Sequence, residues 1–280
     1  MKLGQKIAIN YIRAKLNILA LVSKEKAAAK AFDLFCTPFR KPRKKKPSIF
    51  DKGEKLHFKL EGIDITGHRW NHPQERKVLI VHGFESTSYN FDRYIGPLVK
   101  KGYEVLAFDA PAHGNSGGKR ITLPLYVEML KKICELYGPI HSYMAHSFGG
   151  LALAHFLESY EHDEQTKVAL LAPATETVTA IDSFFKFLHL NNELRKEFDE
   201  LIFKKGNVPP EHYSIKRAVK NIKARLLWFH DEDDEMTPLK DALKVMDDNH
   251  AHIEFVISKG FGHRRLYREN KVVKRVIEFL

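Results

Sequence analysis

Ser147 stands in Ala145-His146-Ser147-Phe148-Gly149-Gly150, directly after an apolar run that reads as a strand and just before the helical stretch Leu151 to Tyr160. A sharp strand-to-helix turn pushes an alcohol out at the carboxyl edge of a sheet, and small neighbours let strand and helix approach. The helix N-terminus adds partial positive charge there, and the backbone N–H of Phe148 can reach a developing oxyanion. The chemistry on offer is nucleophilic attack on a carbonyl; the plainer alternative is a helix cap, a place serine also favours. Upstream, Val78 to Val81 runs into His82-Gly83-Phe84-Glu85, where Gly83 permits a backbone bend that a side chain would obstruct. Downstream, Leu226 to Phe229 ends in a loop crowded with Asp231, Glu232, Asp233 and Asp234. His82, His113, His146, His230 and His263 all fall at predicted strand ends. Imidazole clusters bind zinc, but no H-E-x-x-H spacing accompanies these, so no metal is expected.

Such groups need a scaffold. Leu56 to Leu60 and Ile63 to Trp70 read as an antiparallel pair turning at Gly62. Val78 to Val81, Tyr103 to Phe108, Ser142 to Met144, Val168 to Leu171, Leu226 to Phe229 and Ile253 to Ile257 follow as strands, several of them continuous apolar runs suited to parallel strands buried on both faces. Helical segments at Asn90 to Lys101, Leu123 to Tyr137 and Phe148 to Tyr160 alternate with them. The pattern predicts an α/β fold, a mostly parallel twisted sheet with helices on both faces. From about residue 174 to 221 no good strand occurs, and helical candidates near Ile181 to Leu190, Glu193 to Lys204 and Tyr213 to Lys220 suggest an inserted helical cap. Ser183 to Leu190 is apolar nearly all round, as a helix beside an apolar cavity would be.

The segment around Ser147 resembles the nucleophile elbow of the α/β-hydrolase superfamily, usually G-x-S-x-G, with Ala145 in place of the first glycine. His82-Gly83-Phe84 is similar to the family's oxyanion loop, which implies the backbone N–H of Phe84 as a donor beside that of Phe148. Asp109-Ala110-Pro111-Ala112-His113-Gly114-Asn115-Ser116 resembles the D-x-P-G-x-G-x-S loop, chiefly structural in the family, with Ala112 replacing a glycine. The G-x-x-D-x-x-V-P pattern puts the family's acid at Asp234, although Asp231 and Asp233 remain open as alternatives, and Gly260-Phe261-Gly262-His263 is close to the G-x-G-H ending. The resemblance, over roughly residues 56 to 280, implies a serine esterase or lipase-like enzyme: Ser147 as nucleophile, His263 as general base, Asp234 orienting it. The order Ser, Asp, His is the superfamily's own. No cofactor is implied. The same loops serve enzymes that cleave amides, thioesters or carbon–carbon bonds or transfer acyl groups, and a non-catalytic binding protein could also keep the fold. Phe184, Phe185 and Phe187 in the cap suggest an apolar acyl or aryl substrate.

The N-terminal segment reads differently. Residues 1–52 hold 14 Lys and Arg against 3 Asp and Glu, while the rest of the chain holds 32 of each, so the entire net charge of +11 sits there. Residues 1 to 36 read as helical, with Leu3, Ile7, Tyr11, Ala14, Ile18, Leu21, Ala28, Phe32 and Phe35 recurring on helical steps; Pro38 and Pro42 end the pattern, and Arg40 to Lys46 read as a basic linker. The chain then divides into 1–52, a basic helix and linker, and 53–280, a hydrolase-like domain carrying the cap. The basic segment is open to three partners: the body itself, an anionic membrane, or nucleic acid, the last ranking lowest because no base-stacking motif accompanies it. Ile18 to Val22 is too short to cross a bilayer, and no secretory signal is evident, which reads as a cytoplasmic protein able to associate with a membrane surface. Two cysteines, Cys36 and Cys134, make no disulfide framework.

Overall fold

The structure, a computed structural model, describes residues 3–39 and 45–280. Most of the basic run Arg40 to Lys46 therefore lies outside the described residues, as do Lys2 and the side chains of Leu3 and Lys6. Along the chain come α1 (Leu3–Val22), α2 (Lys24–Phe35), β1 (Glu54–Leu60), β2 (Ile63–Trp70), β3 (Lys77–Val81), α3 (Asp92–Lys100), β4 (Glu104–Phe108) and α4 (Leu123–Tyr137). They are followed by β5 (Ser142–His146), α5 (Phe148–Leu157), β6 (Lys167–Leu171), α6 (Thr177–Leu188), α7 (Asn192–Gly206) and the short α8 (Ile215–Ala218). Last come β7 (Arg225–Asp231), α9 (Leu239–Met246), β8 (Ile253–Ser258), the short α10 (Gly262–Arg265) and α11 (Asn270–Phe279).

The eight strands form one sheet in the order β1-β2-β4-β3-β5-β6-β7-β8. β1 pairs antiparallel with β2, and β2 with β4, while every pairing from β4 through β3, β5, β6 and β7 to β8 is parallel. Strand alternation divides the core. Leu79 and Val81 of β3 point into one layer with Tyr126, Met129 and Ile133 of α4, nearly all of α5, and Val245 of α9. Val78 and Ile80 point into the other, with Tyr94, Ile95 and Leu98 of α3 and Val272 and Val276 of α11. Both faces of β3 are thus covered, which is why Val78 to Val81 is apolar throughout. α5 is buried on all sides, and its sequence is correspondingly apolar with no polar face.

The chain forms two compact units. One comprises residues 38–175 and 215–280, holding the sheet; the other joins residues 1–37 to 176–214. In the second unit Leu16, Ala27, Ala28 and Ala31 of α1 and α2 share a core with Ile181, Phe185, Leu188, Leu194, Phe198 and Ile202 of α6 and α7. The helical N-terminus expected as one stretch is broken at Ser23, whose hydroxyl accepts from the N–H of Lys26 and caps α2. Its small buried face of three alanines lets a neighbouring helix approach closely. The expected helix from Tyr213 is shorter, because Ile215 to Ala218 belongs to the sheet-bearing unit, with Ile215 N–H donating to Thr175 O. Cys36 and Cys134 are both buried and outside any disulfide.

Candidate active site

β5 ends at His146, and the chain turns into α5 through Ser147 at φ 55°, ψ −126°. A non-glycine residue held there carries strain of order ~1–3 kcal/mol and needs its surroundings to enforce it. They do: Ser147 N–H donates to Leu171 O at 3.1 Å, while Ser147 O accepts from Gly150 N at 2.9 Å and Ala174 N at 3.0 Å. The two glycines after it are sterically required. A Cβ on Gly149 would lie 2.5 Å from His82 O, and one on Gly150 would lie 2.6 Å from Pro173 Cβ. Gly149→Ala is therefore expected to destabilise the fold by about 1–3 kcal/mol, because backbone stands on the far side of the clash. A chemical denaturation midpoint unchanged from the parent would contradict it. Ala145, standing where the family has glycine, sits in ordinary strand conformation and is fully buried, so the methyl is accommodated.

The Ser147 hydroxyl lies 2.9 Å from Nε2 of His263, and Nδ1 of the same ring lies 2.8 Å from Oδ2 of Asp234. His263 is the second residue of α10, presented by the turn that follows β8. Asp234 follows β7 and is itself tightly held: Oδ1 accepts from the N–H groups of Met236 and Thr237, each at 2.9 Å. Burial opposes its ionisation, but the bonds from His263 and Thr237 outweigh that and hold its carboxyl below the usual range. The other acids of this loop have different work. Asp231 accepts from the N–H groups of Gly262 at 2.9 Å and Phe261 at 3.2 Å and from the Ser258 hydroxyl at 2.6 Å. Asp233 accepts from Gly260 N–H at 3.0 Å, and Glu232 pairs with Lys259 at 2.9 Å. Between them they brace the turn that carries His263 to the loop that carries Asp234.

The loop from His82 to Glu85, the oxyanion candidate, is fixed by two histidines whose tautomers can be read. Nε2 of His82 accepts from Ala110 N–H at 2.9 Å, so Nδ1 carries the proton and donates to Gly83 O at 2.8 Å. Burial pushes the His82 pKa down to about 4, which keeps this arrangement neutral. Nε2 of His113 accepts from Glu85 N–H at 3.0 Å, and Nδ1 donates to Pro111 O at 2.9 Å. Gly83 passes so close to Ser147 that an added Cβ would lie 2.8 Å from Ser147 Cβ. Phe84 follows directly. Phe148 opens α5, where a backbone N–H has no intrahelical acceptor. The Phe84 and Phe148 rings meet edge to face at 6.2 Å. In the supporting loop, Asp109 Oδ1 accepts from Ser88 N–H and Oγ–H at 2.8 and 2.9 Å, and Ala112 adopts a left-handed φ of 66°. That backbone explains why a glycine is usual at this position.

Three residues near the relay were not singled out for it by sequence. Thr237 donates its hydroxyl to Asp234 Oδ2 at 2.8 Å and lies 3.1 Å from Nδ1 of His263. His230 holds Thr237 O through Nε2 at 2.6 Å. His146 packs against the rings of His263 and Tyr267, with centroids 4.7 and 4.5 Å away, and its Nε2 lies 3.2 Å from His263 O. The signal for Thr237 was present, since it immediately precedes the proline of the acid motif. Of the cap phenylalanines, Phe185 is buried against Phe198 and Phe184 packs edge-on to Phe35, both inside the helical unit's own core, while Phe187 is exposed. The helical unit spends the first two rings on holding itself together.

A family described as serine aminopeptidase, S33, matches residues 72–205. Among curated proteins, an uncharacterized hydrolase of Bacillus subtilis, YugF, is 23% identical over 80% of this chain and 70% of its own length. A serine hydrolase-like protein of Dictyostelium discoideum is 30% identical over 57% of this chain, which spans about half of that protein. Among solved structures, the esterase Pf2001 of Pyrococcus furiosus superposes with a TM-score of 0.65 at 22% identity, covering 88% of this chain and 97% of the esterase. The chain has the α/β-hydrolase fold. The matched family region takes in Ser147 and both oxyanion-loop candidates but stops short of Asp234 and His263, so for those two the geometry speaks alone. Among the described residues no helix is long and apolar enough to cross a membrane.

Proposed function

We propose that this hydrolase works through an acyl-enzyme on carboxylic esters with an apolar acyl or aryl group. The observation that carries the reading is the unbroken relay from Ser147 Oγ through both nitrogens of His263 to Asp234. In this reading Ser147 Oγ attacks the ester carbonyl while its proton passes to Nε2 of His263. Nδ1–H stays on the ring and donates to Asp234, whose ionised carboxylate stabilises the imidazolium. The tetrahedral oxyanion accepts from the N–H groups of Phe84 and Phe148. Collapse expels the alcohol, which takes the proton from Nε2; water then repeats the sequence and frees the acid. The apolar preference is supported by the Phe84 and Phe148 rings, which belong to the residues that offer the donors, meet edge to face and are only partly buried. The cap phenylalanines, two of them committed elsewhere, add less support than their sequence suggested.

An amide is the second reading, favoured by the aminopeptidase description of the matching family. Steady-state rates on p-nitrophenyl esters of graded chain length, with matched p-nitroanilides, test both. The expected result is a kcat/KM that rises from acetyl to longer acyl groups, with slow anilide turnover. Preference for acetyl or charged acyl groups would refute the apolar assignment, and faster anilide cleavage would move the substrate class to amides.

A further inference from the structure

The first helix carries two apolar faces, and only one is used. Ile9, Ile12, Leu16, Leu19 and Ala20 pack into the core shared with α2, α6 and α7. Opposite them, Ile7, Tyr11, Ile18, Leu21 and Val22 are 61–88% exposed, and Ala14 is exposed between them. At 3.6 residues per turn these positions fall within an arc of roughly 100°. This exposed stripe is the one that the sequence periodicity marked as apolar. Large side chains left in water along one continuous helix face indicate an interaction surface.

Charge identifies what covers it. Leu3 to Val22 contains no Asp or Glu, and Lys15 stands exposed at the edge of the stripe next to Tyr11 and Val22. Lys26 and Lys30 are exposed on α2, and the first 52 residues hold the whole positive excess of the chain. A convex apolar ridge with cations beside it and no acid along it suits an anionic lipid interface, where apolar side chains enter the acyl boundary and ammonium groups meet headgroups. With no described helix able to span a bilayer, such a helix lies in the plane of the membrane. Tyr11, apolar in its ring and polar at its tip, fits that depth.

We infer that the outer face of α1 docks the protein onto anionic membranes, independently of which bond the active site cleaves. The test is vesicle flotation of the full chain at low salt, using phosphatidylcholine vesicles with and without about 30% phosphatidylserine. The parent should float with the anionic vesicles and stay behind with the neutral ones, and added salt should release it. Ile18→Asp with Leu21→Asp should cut the bound fraction about tenfold or more, as two apolar anchors become like charges to the lipid. Both positions face water, so circular dichroism and thermal midpoint should match the parent. Equal flotation of parent and variant, binding indifferent to phosphatidylserine, or no binding at all would overturn the inference. So would a concentration-dependent dimer, seen by sedimentation without vesicles and abolished by the same variant, because a second copy would then be the occupant.

Discussion

Ser147→Ala is expected to reduce ester turnover by about 10⁴-fold or more and to abolish labelling by a fluorophosphonate probe. The reason is chemical: a methyl group cannot form the acyl-enzyme, and what remains is binding plus the two amide donors. The fold should be untouched. The Ser147 side chain caps nothing in α5, and its hydroxyl bond is to His263. Alanine also tolerates φ 55° no worse than serine, so the backbone strain is unchanged. A thermal midpoint within experimental scatter of the parent, together with lost turnover, is the expected pair. Retained turnover in the purified variant would refute the nucleophile assignment, and with it the acyl-enzyme reading.

Asp234→Asn should cost about as much, roughly 10⁴-fold in kcat, while leaving the fold in place. Oδ1 of Asp234 is held by two backbone N–H groups, so the amide of an asparagine orients its oxygen toward Met236 and Thr237 and turns its NH₂ toward His263. The imidazole then presents an acceptor at Nδ1 and a proton at Nε2, and can no longer take the proton of Ser147. Asp231→Asn makes the control. Its carboxylate collects the amides of Phe261 and Gly262 and the hydroxyl of Ser258, so its loss should lower stability by about 1–3 kcal/mol and affect kcat far less. If Asp231→Asn proves the more damaging to kcat, the acid has been assigned to the wrong side chain. Asp234 also carries a sign with pH: because its folded pKa lies below the ordinary carboxylate value of 3.8, its stabilising contribution is present above that value and is lost as pH falls through the folded one.

Much of this was legible in the residues. The sheet announced itself because a strand covered on both faces has no polar side, and Val78 to Val81 could hardly be anything else. Ser147 was legible from its place between such a strand and a helix with glycine beside it. What stayed hidden depends on which neighbour a residue meets. Four acids in succession look alike on paper, and only the turn after β8 decides that Asp234 faces an imidazole while Asp231 collects amides. Thr237 and His146 draw their importance from partners 26 and 117 residues away. Periodicity told correctly that α1 has an apolar stripe, yet it could not tell which of two apolar faces finds a partner. It also missed the break at Ser23, where a capping hydroxyl outweighs a pattern that continues across it. The run Phe184 to Phe187 reads as a cavity lining or a core equally well, because the composition is the same for both.

The helical unit joins residues 1–37 to residues 176–214. The ribosome therefore delivers α1 and α2 well before the α6 and α7 segments they pack against, and at ~5–20 residues per second the delay runs on the order of ten seconds. Through that interval the faces of α1 and α2 that meet α6 and α7 have nothing to close upon, and α2, with 12 residues, is marginal alone. These two helices are made long before the segments that complete their core.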